Sequence, residues 1–308
     1  MSPIAILDLG TNTFHLLIVQ QNPNGKFKIL HKSKMASKLG EGGINTNIIA
    51  PQAFDRGISI LKHFKATMTK HGVVHYKAIA TSAIRSSSNK NLFLKAAKNI
   101  GITLSVIDGN KEANYIAIGV NNCIAIDSVS LIMDIGGGST EFIITTGKKI
   151  LWKKSYNIGA ARLLAKFSPS NPIEILKINL INNYLDKELK DLSTAIKKYK
   201  PNTLIGSSGS FDTFASIIGW KNENKDILKN KKQYTFDMKE YFTLHKVLLK
   251  STLSERKKMK GLLAMRVDMV VLASIFTNYI LHSYSFDHFK LSKYALKEGV
   301  LFSHFIKQ

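Results

Sequence analysis

Residues 4–14 read IAILDLGTNTF, and residues 131–142 read LIMDIGGGSTEF. Each stretch is an apolar strand that ends in an aspartate, followed by a loop of glycine and small polar residues and then by a second apolar strand. The repeat continues beyond these stretches, because a third strand follows each pair and a later strand in each half leads into another small-residue loop. A repeat of about half the chain indicates a duplicated domain rather than a solenoid.

Both halves mix strands with helices, which is typical of α/β domains. We place the domain boundary near 121–128, giving a first domain over 1–124, a second over 125–308 and a cleft between them. The amphipathic segment at about 295–308 is expected to form a helix that packs back on the first domain. The predicted strands are 4–8, 16–19, 26–30, 76–80, 131–134, 142–145, 150–153 and 203–205, with turns at 22–25 and 146–149, and the predicted helices are 52–68, 173–192, 236–249 and 267–282.

The composition is strongly basic. Among 308 residues, lysine and arginine number 44 against 21 acidic residues, for a net charge of +23. Such a surplus attracts polyanions, although frequent lysine, asparagine and isoleucine are also what a genomic composition bias produces. One cysteine, Cys123, excludes an internal disulfide framework and fits a reducing compartment. Without a secretory signal or an apolar run long enough to span a bilayer, the sequence predicts a cytoplasmic protein with no membrane partner.

Three loops of small residues are candidates for binding phosphate. Glycine lets backbone N–H groups come close to an anion, while hydroxyls donate further hydrogen bonds. A single glycine-rich turn is usually an ordinary tight hairpin, but two copies at the same place in a repeat favour a clamp that holds a phosphate chain from both sides. The candidate residues are Gly10, Thr11, Asn12 and Thr13 in the first loop, Gly136, Gly137, Gly138, Ser139 and Thr140 in the second, and Ser208 and Gly209 in the third.

Acidic side chains lie at the mouths of the first two loops. Asp8 and Asp134 end their strands there, and Glu141 begins the return strand seven positions after Asp134. Carboxylates that face phosphate need an intervening cation, and Mg²⁺ is suited because it binds one or two carboxylates, waters and phosphate oxygens. We therefore expect Asp134, Glu141 and Asp8 to hold Mg²⁺, with loop capping as the alternative role of Asp8.

Arginine is rare in this lysine-rich chain, with five residues in all. Its planar fork suits bidentate binding of phosphate or carboxylate. Arg85 follows a strand and is the phosphate-binding candidate, whereas Arg162, Arg256 and Arg266 are expected in structural ion pairs and Arg56 on a helix surface.

Glu112 lies where a turn opens a helix. A glutamate in a first helical turn usually complements the helix dipole, and although hydrolysis needs a base to orient water, spacing does not single out this residue. The nine histidines show no zinc-type spacing, and the chain has neither a Walker loop nor a Gly-x-Ser-x-Gly elbow.

Together the motifs resemble the exopolyphosphatase and guanosine pentaphosphate phosphohydrolase family, within the actin, sugar kinase and Hsp70 superfamily. They occur in the family's order across nearly the whole chain. The matching segments are 8–15 (DLGTNTFH), 80–85 (ATSAIR), 109–113 (GNKEA), 134–141 (DIGGGSTE), 159–162 (GAAR), 206–210 (GSSGS), 266–268 (RVD) and 296–301 (LKEGVL).

The resemblance implies two ribonuclease H-like domains flanking a cleft, and hydrolysis of the terminal phosphate of inorganic polyphosphate or guanosine pentaphosphate. It implies that Glu112 is the catalytic base for in-line attack by water, that Asp134 and Glu141 position metal and water, and that Arg85 contacts phosphate. It also suggests that the chain can form a homodimer.

Lys111 and Lys297 stand where relatives commonly have glutamate and arginine. The additional helical domains of longer relatives are not present, so we expect short polyphosphates or guanosine pentaphosphate as substrates.

Two other function classes stay open from the sequence. A kinase of the same superfamily would use the loops for ATP, although no adenosine pocket is evident. A non-catalytic sensor or nucleic-acid binder would use the net charge, but the sequence has no base-reading motif and no basic residues interleaved with aromatic ones. No specific nucleic-acid partner is therefore expected.

Overall fold

The computed structural model describes residues 2–22 and 27–306. None of the helices in these ranges has the length and apolar character needed to cross a bilayer. The first half of the chain forms, in order, β1 (Ile4–Leu9), β2 (Thr13–Gln21), β3 (Phe27–Ala36), α1 (Pro51–Lys70), β4 (His75–Ala80), α2 (Ser82–Ser86), α3 (Lys90–Asn99), β5 (Ser105–Val106) and α4 (Gly109–Asn121).

The second half repeats this alternation with more helices. A 3₁₀ turn at Ala264–Arg266 precedes its longest buried helix. The elements are β6 (Ser130–Ile135), β7 (Thr140–Thr145), β8 (Ile150–Tyr156), α5 (Ala160–Phe167), α6 (Ile175–Glu188), α7 (Lys190–Tyr199), β9 (Thr203–Ser207), α8 (Gly209–Lys221), β10 (Gln233–Thr235), α9 (Met238–Lys250), α10 (Leu253–Lys258), α11 (Val270–Ser283), β11 (His288–Ser292) and α12 (Leu296–Phe305).

The two sheets have the same strand order. The first runs β3-β2-β1-β4-β5 and the second runs β8-β7-β6-β9-β11, with β10 added at the outer edge. In each sheet three antiparallel strands form a meander, and the later strands join the central one in parallel. This repeated order confirms the α/β fold predicted from the sequence, two ribonuclease H-like units flanking a cleft.

Two elements differ most from their predicted bounds. The predicted turn at 22–25 and start of β3 at Lys26 lie largely outside the described residues, but the strand continues to Ala36, paired along β2. The sequence pattern missed this continuation because residues 31–35 are mostly polar and border the cleft. The helix predicted at 173–192 is two helices, because the backbone leaves helical geometry at Leu189 (φ −100°, ψ 18°), whose side chain is buried.

The central strands have side chains in two different cores because successive residues point to opposite faces of a sheet. Leu7 of β1 packs in the core of the first sheet with α1 and α3, and Met133 of β6 packs in the core of the second. Their neighbours Ile6 and Ile132 instead join a third core between the two sheets. Asp8 alternates with Leu7 and shares the face of Ile6, so its side chain belongs to this inner region.

Helices α4 and α12 fill the space between the sheets. They pack backbone to backbone: a Cβ atom on Gly119 would lie 2.2 Å from the carbonyl oxygen of Ala295, and one on Gly299 would lie 1.7 Å from that of Tyr115. The Tyr115 hydroxyl also lies 2.8 Å from His304 Nε2. Only glycine at both positions permits this approach, which joins α12 to an element that precedes it by nearly two hundred residues.

Candidate active site

The first two candidate loops are matching hairpin turns that face each other. In each turn the first glycine donates its N–H to the carbonyl three residues on, at 3.1 Å from Gly10 and at 3.0 Å from Gly136. A Cβ atom on Gly138 would lie 2.6 Å from Thr11 Oγ1, closer than a side chain can approach. Glycine at 138 therefore allows the two turns to come together.

A cleft of about 430 Å³ opens beside these turns. The third loop also lines this cleft. Its Ser208 has a positive φ of 66° and donates its hydroxyl to the Ile135 carbonyl at 3.1 Å, which holds the third loop beside the second. The cleft brings together all but two of the site residues predicted from the sequence. They are Asp8, Gly10, Thr11, Asn12, Thr13, Glu112, Asp134, Gly136, Gly137, Gly138, Ser139, Glu141, Ser208 and Gly209.

The second sheet presents a row of acids to the cleft. Asp134 pairs in register with Glu141, and Glu141 with Ser155. Ser207 Oγ donates to Asp134 Oδ2 at 2.6 Å, and Ser155 Oγ donates to Glu141 Oε1 at 2.6 Å. Burial raises the pKa of both carboxyls, and for Glu141 the neighbouring carboxylates raise it further. Two acids held together out of water in this way favour a bound cation.

The first sheet has the same row with different chemistry. Asp8 pairs in register with His15, and His15 with Lys34, so His15 occupies the place of Glu141. Burial raises the pKa of Asp8 to about 7, although Lys297 opposes the shift. Burial lowers the pKa of His15 well below its ordinary value, which leaves the ring neutral at pH 7. The row on the first sheet therefore holds one acid, a neutral imidazole and a lysine, where the row on the second sheet, the acidic wall, holds two acids and a serine.

Glu112 is aimed into the cleft from the first turn of α4. Asp108 caps this helix by accepting a backbone N–H at 2.8 Å. A Cβ atom on Gly109 would lie 2.3 Å from Ser155 Cβ, so glycine lets the start of the helix reach β8. Glu112 is 6% exposed, and burial raises its pKa to about 7. A carboxyl of this pKa can exchange a proton with water near neutral pH.

Arg85 and Thr140 are the two predicted residues that do not line the cleft. Arg85 lies behind Glu112, where its Nη1 donates to Glu112 Oε2 at 2.7 Å and to the Ile107 carbonyl at 3.1 Å. Thr140 is buried, and its hydroxyl donates to the Ile158 carbonyl. The structure thus gives Arg85 a carboxylate partner and gives Thr140 a place within the β7 turn.

Three other arginines bind main-chain carbonyls. Arg162 donates to Gly138 at 3.2 Å and to Ile44 at 2.7 Å, which joins the two halves of the chain. Arg256 and Arg266 also donate to carbonyl oxygens. None of the three has a carboxylate within ion-pair distance in the ranges the structure describes. The prediction of structural ion pairs is wrong because these forks satisfy loop carbonyls instead.

Several cleft residues were not identified from the sequence. Ser82 is 2% exposed, and its hydroxyl has no hydrogen-bond partner among the described residues. It belongs to a segment that the family resemblance includes, so that motif was the available signal. Arg266 and Lys297 also lie in segments that the resemblance includes. Lys32, Lys34 and Lys293 carry no comparable signal, because lysine is frequent throughout the chain. The polar and charged cleft residues not identified as site residues include His15, Lys32, Lys34, Ser82, Asp212, Arg266, Lys293 and Lys297.

The donors at the acidic wall fit Mg²⁺ better than a metal held entirely by protein. Across residues 2–22 and 27–306, no three His, Cys, Asp or Glu side chains form a complete metal site. Asp134 and Glu141 are adjacent oxygen donors, and Mg²⁺ commonly takes one or two carboxylates and completes its shell with water and phosphate. The residues present therefore fit an ion that arrives with a phosphate substrate.

The comparisons with known proteins agree with this geometry. Residues 18–308 match the Ppx/GppA phosphatase family. The chain is 24% identical over 301 residues to exopolyphosphatase 1 of Mycobacterium leprae, across 97% of this chain and 88% of that protein, and 23% identical to exopolyphosphatase 1 of Mycobacterium tuberculosis H37Rv, across 97% and 87%. The crystal structure of an exopolyphosphatase from Cytophaga hutchinsonii matches with a TM-score of 0.95 and 39% identity, covering 98% of this chain and 97% of that one. The chain belongs to the Ppx/GppA phosphatase family.

Proposed function

We propose that this enzyme removes the terminal phosphate of inorganic polyphosphate by Mg²⁺-assisted hydrolysis, with guanosine pentaphosphate as the second candidate substrate. The observation that carries the proposal is Glu112, a buried carboxyl with a pKa of about 7 that faces a cleft between two glycine turns. The relatives named exopolyphosphatases cover nearly the whole chain. Inorganic polyphosphate is therefore the first substrate to test.

The residues of the cleft divide the reaction between them. The turns at Gly10 and Gly136 bind the terminal phosphate through backbone N–H groups, which stabilise the charge on its equatorial oxygens. Glu112 accepts a proton from the water that attacks phosphorus in line, and the bond from phosphorus to the bridging oxygen breaks. The products are orthophosphate and a chain one phosphate shorter. The shortened chain leaves as a stable anion, so it needs little help from a general acid.

Asp134 and Glu141 would hold Mg²⁺, and Asp8 would face the ion from across the cleft. When bound, the ion supplies positive charge beside the phosphate oxygens. It would also relieve the repulsion among these buried carboxylates, whose raised pKa values show how unfavourable their negative charge is without a cation.

The test is phosphate release with Mg²⁺ from short polyphosphate, long polyphosphate and guanosine pentaphosphate at equal concentrations of phosphate ends. We expect release from polyphosphate, and a loss of about 10²- to 10⁴-fold in Glu112→Gln, the range for removal of a general base. Glu188→Gln, at the exposed end of α6, is the matched control and should keep the full rate. If Glu112→Gln retained most of its rate, the base assignment would be wrong even though the family is established.

Two outcomes would replace the proposal. Phosphate transfer from ATP to a sugar or acetate acceptor, with little hydrolysis of inorganic chains, would establish a kinase. Binding of polyphosphate by the folded protein at saturating Mg²⁺, without turnover of any of the three substrates, would establish a sensor.

A further inference from the structure

Lys32 and Lys34 are cations of the cleft that no carboxylate neutralises at close range. Both lie on β3 and line the cleft. Their backbones pair with β2, but neither ammonium group forms an ion pair or a hydrogen bond with any residue that the structure describes. They are two apart on one strand, so both side chains extend from the same face of the sheet. The structure therefore holds two ammonium groups without ion-pair partners on β3, and Asp212 of the same cleft is a carboxylate that acts on both from beyond ion-pair distance.

Three more cations face the same space, but each of them has a partner. Lys297 Nζ lies 3.1 Å from Glu298 Oε1, Lys293 Nζ donates to a main-chain carbonyl at 2.9 Å, and Arg266 donates to the Gly209 carbonyl. Partial withdrawal from water, and then the charge of Arg266, lower the pKa of Lys34 to about 8. Lysines that repel neighbouring cations in this way gain more from a bound polyanion than isolated surface lysines do.

The register fixes where this pair lies relative to the chemistry. Lys34 stands across from His15 as Ser155 stands across from Glu141. The acidic wall, with Glu112, is where water meets the terminal phosphorus. Lys34 and Lys32 lie on the equivalent strand of the other sheet, beyond the turn at Gly10. A chain with its terminal phosphate at the acidic wall therefore extends its remaining phosphates toward β3.

We propose that Lys32 and Lys34 bind the phosphates of the leaving chain, so that the cleft selects linear inorganic polyphosphate and discriminates by chain length. This inference rests on the proposed hydrolase function. The lining supports an inorganic chain over a nucleotide, because the described residues of the cleft include no Phe, Tyr or Trp on which a guanine base could stack. Guanosine pentaphosphate is accordingly the poorer substrate.

The experiment compares the double variant Lys32→Gln/Lys34→Gln with wild type on tripolyphosphate, long-chain polyphosphate and guanosine pentaphosphate at fixed ionic strength. Two charge-assisted contacts are lost, so we expect KM for the long chain to rise about tenfold or more while kcat changes by less than about twofold. The other two substrates place only two consecutive phosphates beyond the bond that breaks, so their KM should rise by less than about threefold. Lys62→Gln/Lys70→Gln, on the exposed face of α1, removes the same charge elsewhere and is the matched control.

A binding measurement separates this inference from the hydrolase proposal. Calorimetric titration of long-chain polyphosphate into Glu112→Gln, with and without the lysine substitutions, reports affinity without turnover. Hydrolysis by wild type with KM and Kd unchanged in the lysine variant would overturn the inference and leave the function standing. No hydrolysis, with affinity weakened about tenfold by the lysine substitutions, would overturn the function and leave the phosphate subsite. An equal effect in Lys62→Gln/Lys70→Gln would reduce the pair to a contribution to net charge and would also overturn the inference.

Discussion

Replacing Arg85 with methionine should make the pH dependence of the reaction report directly on Glu112. The Arg85 and Glu112 side chains are 21% and 8% exposed, and their charged atoms lie 2.7 Å apart. Burial raises the pKa of Glu112 to about 7, and Arg85 is the group that most opposes this rise. Methionine keeps much of the apolar stem but removes the charge, so the pKa of Glu112 should rise further.

The size of the shift follows from the geometry. Two unit charges about 4 Å apart interact by about 4 kcal/mol at the effective dielectric constant of about 20 that fits such sites. Because Arg85 keeps some contact with water, we expect roughly half of this, or about one to two pKa units at about 1.4 kcal/mol each. A pKa that moves from about 7 to about 8 or higher lowers the ionised fraction of Glu112 at pH 7 from about a half to about a tenth or less.

The assay is kcat for phosphate release measured from pH 6 to pH 9, roughly one unit or more on either side of the two pKa values. We expect Arg85→Met to be about fivefold slower than wild type at pH 7 and to recover most of the difference at the alkaline end, with the acid limb displaced upward. Arg85→Lys should shift the limb less because it retains a charge. Arg56→Met removes the pair with Glu41 and two hydrogen bonds to the Ser37 and Lys38 carbonyls. None of these contacts involves Glu112, so the pH profile should stay unchanged.

Stability gives an independent readout of the same pKa. The folded value lies above the ordinary value of 4.5, so the folded protein binds more protons than the unfolded chain between about pH 4.5 and pH 7. Its stability therefore falls as pH rises through this window, and in Arg85→Met the fall should continue to about pH 8. An acid limb that stays in place, together with a raised KM for every substrate, would refute the electrostatic reasoning and show that Arg85 binds phosphate.

Two further substitutions test the phosphate and metal assignments. Ser82→Ala removes a buried hydroxyl that has no partner among the described residues. The free protein should therefore gain up to about 1 kcal/mol of unfolding free energy, while KM for polyphosphate rises. Thermal melts and steady-state kinetics check these two results, and a loss of stability would contradict the prediction. Asp134→Asn retains the contact with Ser207 but removes a buried carboxylate whose pKa burial raises. Without Mg²⁺ the variant should therefore gain stability over wild type as pH rises, while phosphate release falls about 10²-fold or more. An unchanged Mg²⁺ concentration for half-maximal activity would rule out the metal role.

The fold could be predicted well because the clearest pattern in the sequence, its internal repeat, corresponds to the duplication of the domain. The repeated strand, aspartate and small-residue turn fixed both meanders and placed Asp8 and Asp134 at equivalent strand ends, and the two sheets have the order that a duplication requires. The prediction of an enzyme is confirmed by membership of the family. Glu112, in contrast, was indicated only by the family resemblance, since a glutamate that merely complements the helix dipole has the same local sequence pattern as one that faces the cleft.

The place of Lys32 and Lys34 in the cleft could not be predicted from the sequence, for a physical reason. Of 44 basic residues, five are arginines, which leaves 39 lysines, and nothing local distinguishes Lys32 and Lys34 from the rest. Their position depends on β3 continuing along β2 and on the second sheet standing opposite, which are long-range facts. The prediction of ion pairs for Arg162, Arg256 and Arg266 was wrong for a related reason. The carbonyls that these side chains bind belong to loops whose approach to the arginines no short motif encodes.

The packing of α12 against α4 and β1 has a consequence for the order in which the protein folds. Leu296, Val300 and Leu301 complete the core between the sheets, and Lys297 of the same helix reaches into the cleft beside Asp8. Either half of the chain can build its outer core during synthesis, since domains generally form as the chain emerges. The core between the sheets is complete, and Lys297 lies beside Asp8, only after residues near 300 have docked on the strand near residue 8. A nascent or truncated chain that lacks this helix should therefore hold both phosphate turns but leave the inner core and the environment of Asp8 unfinished.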